Sequence, residues 1–261
     1  METILYFGGL CTYYGAQWLI SVLLVRFGSY EQAGVYSLAM SVSNIFMPVA
    51  TYGIRQYQVS DIKKEYSDNT YILSRKMSIL ASLVLCIIYI AAMGYNSLYI
   101  SVILAFFAFK LIEAYEDVFN GVSQREGHMW VSGVSMIIRG LAIVAVFFAV
   151  YLIKPALFMM TALCAAAVLI VLLAFDETLA KKQSGYKLTY NKKEFQKAQH
   201  LLNIGFVLML YSVFNASFTS IVKIILERLV DATMLGYYSS VSAPTTVIPL
   251  FAASLLVPLM P

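Results

Sequence analysis

The chain has 261 residues, of which 61% are apolar and only 12% charged, with a formal net charge of +4 and a mean hydropathy of +0.77. An average soluble domain carries about 25% charged residues, so the composition excludes an ordinary soluble enzyme. The basic excess is no nucleic-acid footprint either, because Lys and Arg collect in the cytoplasmic loops of membrane proteins for topological reasons.

A bilayer's hydrocarbon layer is about 30 Å thick, so a spanning helix needs roughly 20 predominantly apolar residues. Read this way, the chain is an all-α polytopic membrane protein with about eight transmembrane helices. Met1-Glu2-Thr3 lacks a basic n-region and no small-residue cleavage site follows, so the first span, Gly8 to Phe27, is expected to be a retained helix. The second runs from Ala33 to Ile54, and a polar loop is expected over 55–76. Met77 to Gly94 and Leu98 to Gly121 follow, separated only by the turn Gly94-Tyr95-Asn96-Ser97. Met129 to Ile153 and Ala156 to Phe175 complete six spans, and a second polar loop is expected over 176–199. Leu202 to Leu226 and Met234 to Pro258 are the seventh and eighth. Pro48, Pro244 and Pro249 fall within spans and are expected to kink them.

The basic residues alternate between the two sides. Arg55, Lys63, Lys64, Arg75, Lys76, Arg125, Lys181, Lys182, Lys187, Lys192, Lys193 and Lys197 lie in loops after even-numbered spans, against Arg26, Lys154 and Arg228 on the other side. The positive-inside rule then puts the N-terminus in the cytoplasm. Cys11, Cys86 and Cys164 sit inside apolar spans without metal-ligand spacing and read as small buried hydrophobes.

Sliding the chain against itself exposes a repeat. At an offset of 202, Leu24-Val25-Arg26-Phe27 meets Leu226-Glu227-Arg228-Leu229, and Gly34-Val35-Tyr36-Ser37 meets Gly236-Tyr237-Tyr238-Ser239. Both copies start on the same side, which is the pattern of parallel repeats related by an axis along the membrane normal. The expected organisation is a six-helix lobe over 1–199 and the first two helices of a second lobe over 200–261, an N-terminal fragment of a transporter of about twelve or more helices.

Ionisable groups within spans are costly and default to pathway candidates. In the fourth span Lys110, Glu113, Asp117, Asn120 and Gln124 recur at spacings of three and four, which places them on one helix face, with Glu116 beside it. They form either a cavity-lining stripe, with Glu113 and Asp117 as ion-coupling carboxylates, or a structural Lys110–Glu113 pair. The fifth span aligns His128, Ser132, Ser135 and Arg139. Arg139 lies too deep to snorkel; its guanidinium suits a phosphate, and an ion pair with Glu113 or Asp117 is the alternative. Ser212, Asn215, Thr219 and Lys223 share a face of the seventh span, where packing competes with a pathway role. Arg26 and Arg228 read as helix-end anchors, and the tyrosines near span ends as an interfacial belt. No phosphate-binding glycine loop, zinc-protease motif or Cys-x-x-Cys pair occurs, and no metal or organic cofactor is expected.

Three segments carry a resemblance to a known family. Arg55-Gln56-Tyr57-Gln58-Val59-Ser60-Asp61 with Arg75, Glu116-Asp117-Val118-Phe119-Asn120-Gly121 with Gln124-Arg125, and Leu235-Gly236-Tyr237-Tyr238 with Pro244 resemble bacterial polysaccharide repeat-unit flippases. These are the O-antigen and capsule exporters of the multidrug/oligosaccharidyl-lipid/polysaccharide superfamily. The resemblance implies two six-helix lobes around a cavity of alternating access. It implies flipping of undecaprenyl-pyrophosphate-linked oligosaccharides across the bacterial cytoplasmic membrane. Because the cytoplasmic loops are too short for a nucleotide-binding domain, the energy is expected from a proton or sodium gradient, the membrane potential or the onward consumption of the substrate. Arg139, Lys110, Arg55, Ser132, Ser135 and Asn120 are the expected substrate contacts, and lipids and other polysaccharide-assembly proteins the expected partners, with no nucleic acid. The chain departs from the pattern in stopping two helices into the second lobe, and in carrying Gln17 and Ser21 where related lipid II flippases have arginines in the first helix. A multidrug or cation antiporter of the same fold is the rival reading. A lipid-linked-sugar polymerase or ligase is disfavoured by the short outer loops.

Overall fold

The computed structural model describes residues 2–186 and 189–242. Helix α1 spans Glu2–Phe27, α2 Tyr30–Thr51, α3 Ile54–Ser60, α4 Asp68–Met93, α5 Ser97–Arg125, α6 Met129–Ile153, α7 Leu157–Val171, α8 Glu177–Ser184 and α9 Lys192–Leu229. A further helix, α10, covers 232–242. Seven helical stretches among the described residues are long and apolar enough to cross a membrane, and no strand occurs among them. The expected eighth span, with Pro244 and Pro249, lies largely outside the described residues, as does Lys187.

Local chemistry sets the helix ends. Ser29, Ser67, Asn96 and Asn191 each accept a hydrogen bond from a backbone amide of the first turn they precede, at Gln32, Thr70, Tyr99 and Glu194. Tyr52 and Gly53, both at positive φ, break α2 from α3. Gly94 at φ 62° ends α4 in the left-handed cap that lets α5 return beside it.

Both expected polar loops are shorter than the sequence predicts. Helix α4 begins at Asp68 rather than Met77, so Arg75 lies inside the helix, 0% exposed. At the other loop a π-helical turn over Leu172–Asp176 carries α7 directly into α8, burying Asp176, and α9 starts at Lys192. Hydropathy windows stop at charges, whereas a helix continues past them: Arg75 finds Asp117, Asp176 accepts from Ser135, and the first turns of α9 run largely exposed.

Helix α5 is the centre of the bundle, packed against α2, α3, α4, α6, α7 and α8. The closest pairing joins α1 to α6. Any side chain at Gly9 would run into the Gly133 backbone, and any at Gly133 into the Leu5 carbonyl, so glycine is what lets these two helices touch. The main core runs through α1, α2, α5, α6 and α7, with Leu24, Leu38, Ile103, Phe107 and Phe147 buried. A second cluster, from Ile54 and Tyr71 through Phe119 to Ala180 and Leu201, packs α3 and α8 under one end.

Helix α9 leaves most of this behind. It lies against α2 and α4 and is otherwise largely exposed, over 38 residues or about 57 Å of rise. Helix α10 then returns to α2. Ser37 and Ser239, in register under the 202 offset, share a hydrogen bond of 2.6 Å. A side chain at Gly34 would strike the Ala232 carbonyl, and one at Gly236 the Tyr30 carbonyl, a reciprocal contact between repeat-equivalent positions. Tyr30 and Tyr237 stack with ring centroids 3.9 Å apart.

Candidate functional site

The charges singled out in the fourth and fifth spans gather in three groups along α5. At the first, Lys110 Nζ donates to Glu113 Oε2 at 2.7 Å and to Gln17 Oε1 at 3.1 Å, while Gln17 Nε2 and the Tyr13 hydroxyl donate to Glu113 Oε1. The structural Lys110–Glu113 pair is therefore present, with α1 completing its hydrogen bonding. A mostly apolar pocket lined by Ile20, Tyr36, Phe106 and Cys164 reaches this group through Gln17.

The second group brings two of the resembling segments together. Arg55 donates to Asp117 Oδ1 at 3.1 Å, to Gln124 Oε1 at 3.0 Å and to the Tyr6 hydroxyl at 3.1 Å. Arg75 donates to Asp117 Oδ2 at 2.8 Å and to the Ala50 carbonyl at 3.1 Å. One carboxylate thus serves two guanidinium groups. Arg75 is sealed, whereas the Arg55 and Asp117 side chains keep 21% and 23% exposure. Gln58, buried, donates to the Val118 carbonyl at 3.1 Å and fills the space that Gly121 leaves open.

Asp61 closes the same segment beyond the membrane. Its carboxylate accepts from the Glu65 and Tyr66 amides and the Tyr71 hydroxyl at 2.8–3.0 Å. Burial pushes this carboxyl up, but those three donors outweigh it and hold it below the usual carboxylate range. Its contribution is therefore present above the unfolded value of about 4 and is lost as pH falls through the lower folded one. We expect Asp61→Asn to speed amide exchange at Glu65 and Tyr66 by about tenfold at neutral pH, as loss of charge-assisted hydrogen bonds implies. Acidification in the native protein should likewise lower the protection of these two amides relative to the intrinsic exchange rate at each pH; protection that ignores both changes would remove Asp61 from this role.

The third group is fully enclosed. Arg139, 1% exposed, is bound at both terminal nitrogens by Glu116, with Nη2 2.6 Å from Oε1, and its guanidinium lies 4.8 Å from the Tyr13 ring centroid. Asn120 donates to the same carboxylate at 2.6 Å. Ser135 donates to Asp176 Oδ2 at 2.8 Å, and Ser132 Oγ is buried without a hydrogen-bond partner.

The partner of Arg139 is thus neither Glu113 nor Asp117. Glu116, which the spacing places beside the α5 stripe, faces α6, and Asn120 joins it there. Arg75, Asp176 and Tyr13 were missed as members of these groups, the first two because they fell in expected loops and Tyr13 because it resembled an interfacial aromatic. The spacing Glu116 to Asn120, one helical turn, was the available signal.

Other expectations are placed more simply. His128 is exposed at the start of α6. Ser212 and Thr219 bond back to carbonyls of α9, and Asn215 is exposed. Arg228 donates to the Met93 carbonyl at 2.5 Å and stacks over Tyr95, the geometry of a helix-end anchor. Among the described residues no cluster of His, Cys, Asp and Glu could hold a metal ion.

The Arg55–Asp117 contact joins α3 to α5 through two of the three segments that carry the resemblance, and the sequence profile of the family described as polysaccharide biosynthesis protein matches residues 2–261. The chain belongs to this family. It is similar to the "Capsular polysaccharide biosynthesis protein CapF" of Staphylococcus aureus, 25% identical over 239 residues. That match covers 92% of this chain and 59% of the relative, so the chain spans well under two thirds of the relative's length. No solved structure matches. Like its family, the chain is a multi-pass membrane protein.

Proposed function

We propose that this chain supplies the first lobe, and the opening helices of the second, of a transporter that flips undecaprenyl-pyrophosphate-linked oligosaccharide repeat units for surface polysaccharide assembly. It acts by alternating access in the bacterial cytoplasmic membrane, with its N-terminus in the cytoplasm. The observation that carries this reading is the sharing of Asp117 by Arg55 and Arg75. Two guanidinium groups on one carboxylate leave a positive excess, and the partly exposed member, Arg55, can offer its donors to a pyrophosphate entering from the basic side. Arg139, Asn120, Ser132 and Ser135 lie deeper. In this state Glu116 occupies Arg139, so that residue would reach substrate only after exchanging its partner. The cation antiporter fits less well, because Lys110 engages Glu113 and two arginines engage Asp117.

Reciprocal packing of Gly34 and Gly236, with Ser37 bonded to Ser239, supports a two-lobe arrangement closed where α2 meets α10. A cross-link there should hold that face shut. The test uses the full-length protein with Cys11, Cys86 and Cys164 replaced, reconstituted with a lipid-linked oligosaccharide and an impermeant glycosidase. Oxidising a Ser37→Cys/Ser239→Cys variant is expected to stop translocation and reduction to restore it. Unimpeded translocation in the cross-linked state defeats the alternating-access reading, and movement of a small amphipathic cation in place of the oligosaccharide favours the antiporter.

A further inference from the structure

Asp176 is a buried acid without a cation of its own. It is 3% exposed, and the hydrogen bond it accepts from Ser135 comes from a neutral hydroxyl. The groups turned toward it are Ser135 and Arg139 from α6 and, through Arg139, Glu116 from α5. Both terminal nitrogens of Arg139 are already taken by Glu116. The next acid along the chain, Glu177, pairs with Lys181 at 2.7 Å. Lys110, Arg55 and Arg75 are committed to Glu113 and Asp117. In this interior one hydroxyl donor, and a guanidinium whose terminal nitrogens are already held by Glu116, compensate an ionised carboxylate only in part, which is the setting in which a buried acid exchanges a proton.

Its position is also built. The π-helical turn Leu172–Asp176 adds a residue to the helix just where the acid occurs, turning Asp176 into the bundle. Single π turns inside α-helices concentrate at functional sites. One turn before Ser135, Ser132 is buried with no hydrogen-bond partner. A bound divalent ion would need about six oxygen ligands, far more than one carboxylate and these hydroxyls offer.

We propose that Asp176 is the carboxyl that takes up and releases the proton coupled to transport, beside the fixed Arg139–Glu116 pair. The step is a protonation alone: the carboxylate gains a proton from water on one side of the membrane and returns it to water on the other. The assignment of transport rests on the reading above; the assignment of the proton does not.

The test has two arms. Purified protein in lipid nanodiscs, taken from about pH 5 to about pH 9, the range buried carboxyls can span, should show a protonated-carboxyl carbonyl band in the infrared difference spectrum. Asp176→Asn should abolish that band and Glu113→Gln should leave it. Ser135→Ala should displace it, and serves where Asp176→Asn fails to fold. An unchanged band in Asp176→Asn, or in Ser135→Ala if only that variant folds, overturns the proposal, as does a response to sodium at fixed pH. In vesicles of the full-length protein, oligosaccharide movement driven by a pH gradient should lose its gradient dependence in Asp176→Asn. A band lost in that variant with no oligosaccharide moved by any form keeps the proton site and overturns the transport reading. Movement without an Asp176 band does the reverse.

Discussion

Asp117→Asn should empty the membrane of protein, whereas Arg55→Gln should leave abundance near normal and stop export. The carboxylate of Asp117 compensates Arg75, which has no exposure to water, as well as Arg55. Removing one member of such a buried set leaves an uncompensated charge and costs about 3–5 kcal/mol, a large share of a typical folding free energy of about 5–15 kcal/mol. Arg55 is different because Arg75 can keep Asp117 when it is gone. Its loss removes the accessible donors, and export should fall about a hundredfold, the equivalent of roughly 3 kcal/mol of charge-assisted hydrogen bonding. Arg55→Lys should recover part of that, since an ammonium replaces the charge but not the fork of donors. Abundance by immunoblot and export by surface-polysaccharide labelling separate the two effects. Normal export by Arg55→Gln would remove the residue from the substrate path.

The second large effect belongs to Arg139. Arg139→Ala strands the Glu116 carboxylate between Asn120 and an empty space, again at about 3–5 kcal/mol, so abundance should collapse. Pairing Arg139→Met with Glu116→Gln removes both charges while leaving an acceptor for Asn120, and abundance should return. Export then discriminates: recovery assigns Arg139 to the scaffold, and normal abundance without export assigns its guanidinium to the substrate path.

These cases also show how much the amino-acid pattern revealed. The apolar runs disclosed the seven spans among the described residues, and ends such as Phe27, Gly94, Met129 and Ile153 fall within a residue or two of the expected ones. Boundaries failed where an ionisable side chain is buried inside a helix, since Arg75 and Asp176 look like loop residues until Asp117 and Ser135 are seen beside them. The α5 stripe was legible as a helix face, and its Lys110–Glu113 pair followed from spacing alone. What spacing could not supply was which neighbouring helix each side of that face meets. Glu116 and Asp117 are adjacent in sequence, yet one answers α6 and the other α3 and α4. Helix periodicity assigns directions about a single axis; the partners come from packing among several.

The reciprocal contact of α2 with α10 has a consequence for substitution. A patch in which Tyr30 meets Gly236 while Gly34 meets Ala232 is self-complementary, the arrangement two identical subunits adopt about a two-fold axis. A methyl group added at either glycine would push the same pair of backbones apart and so loosen the packing at the other. Positions 34 and 236 are therefore tied to one spacing, so that a substitution at one is felt at the other.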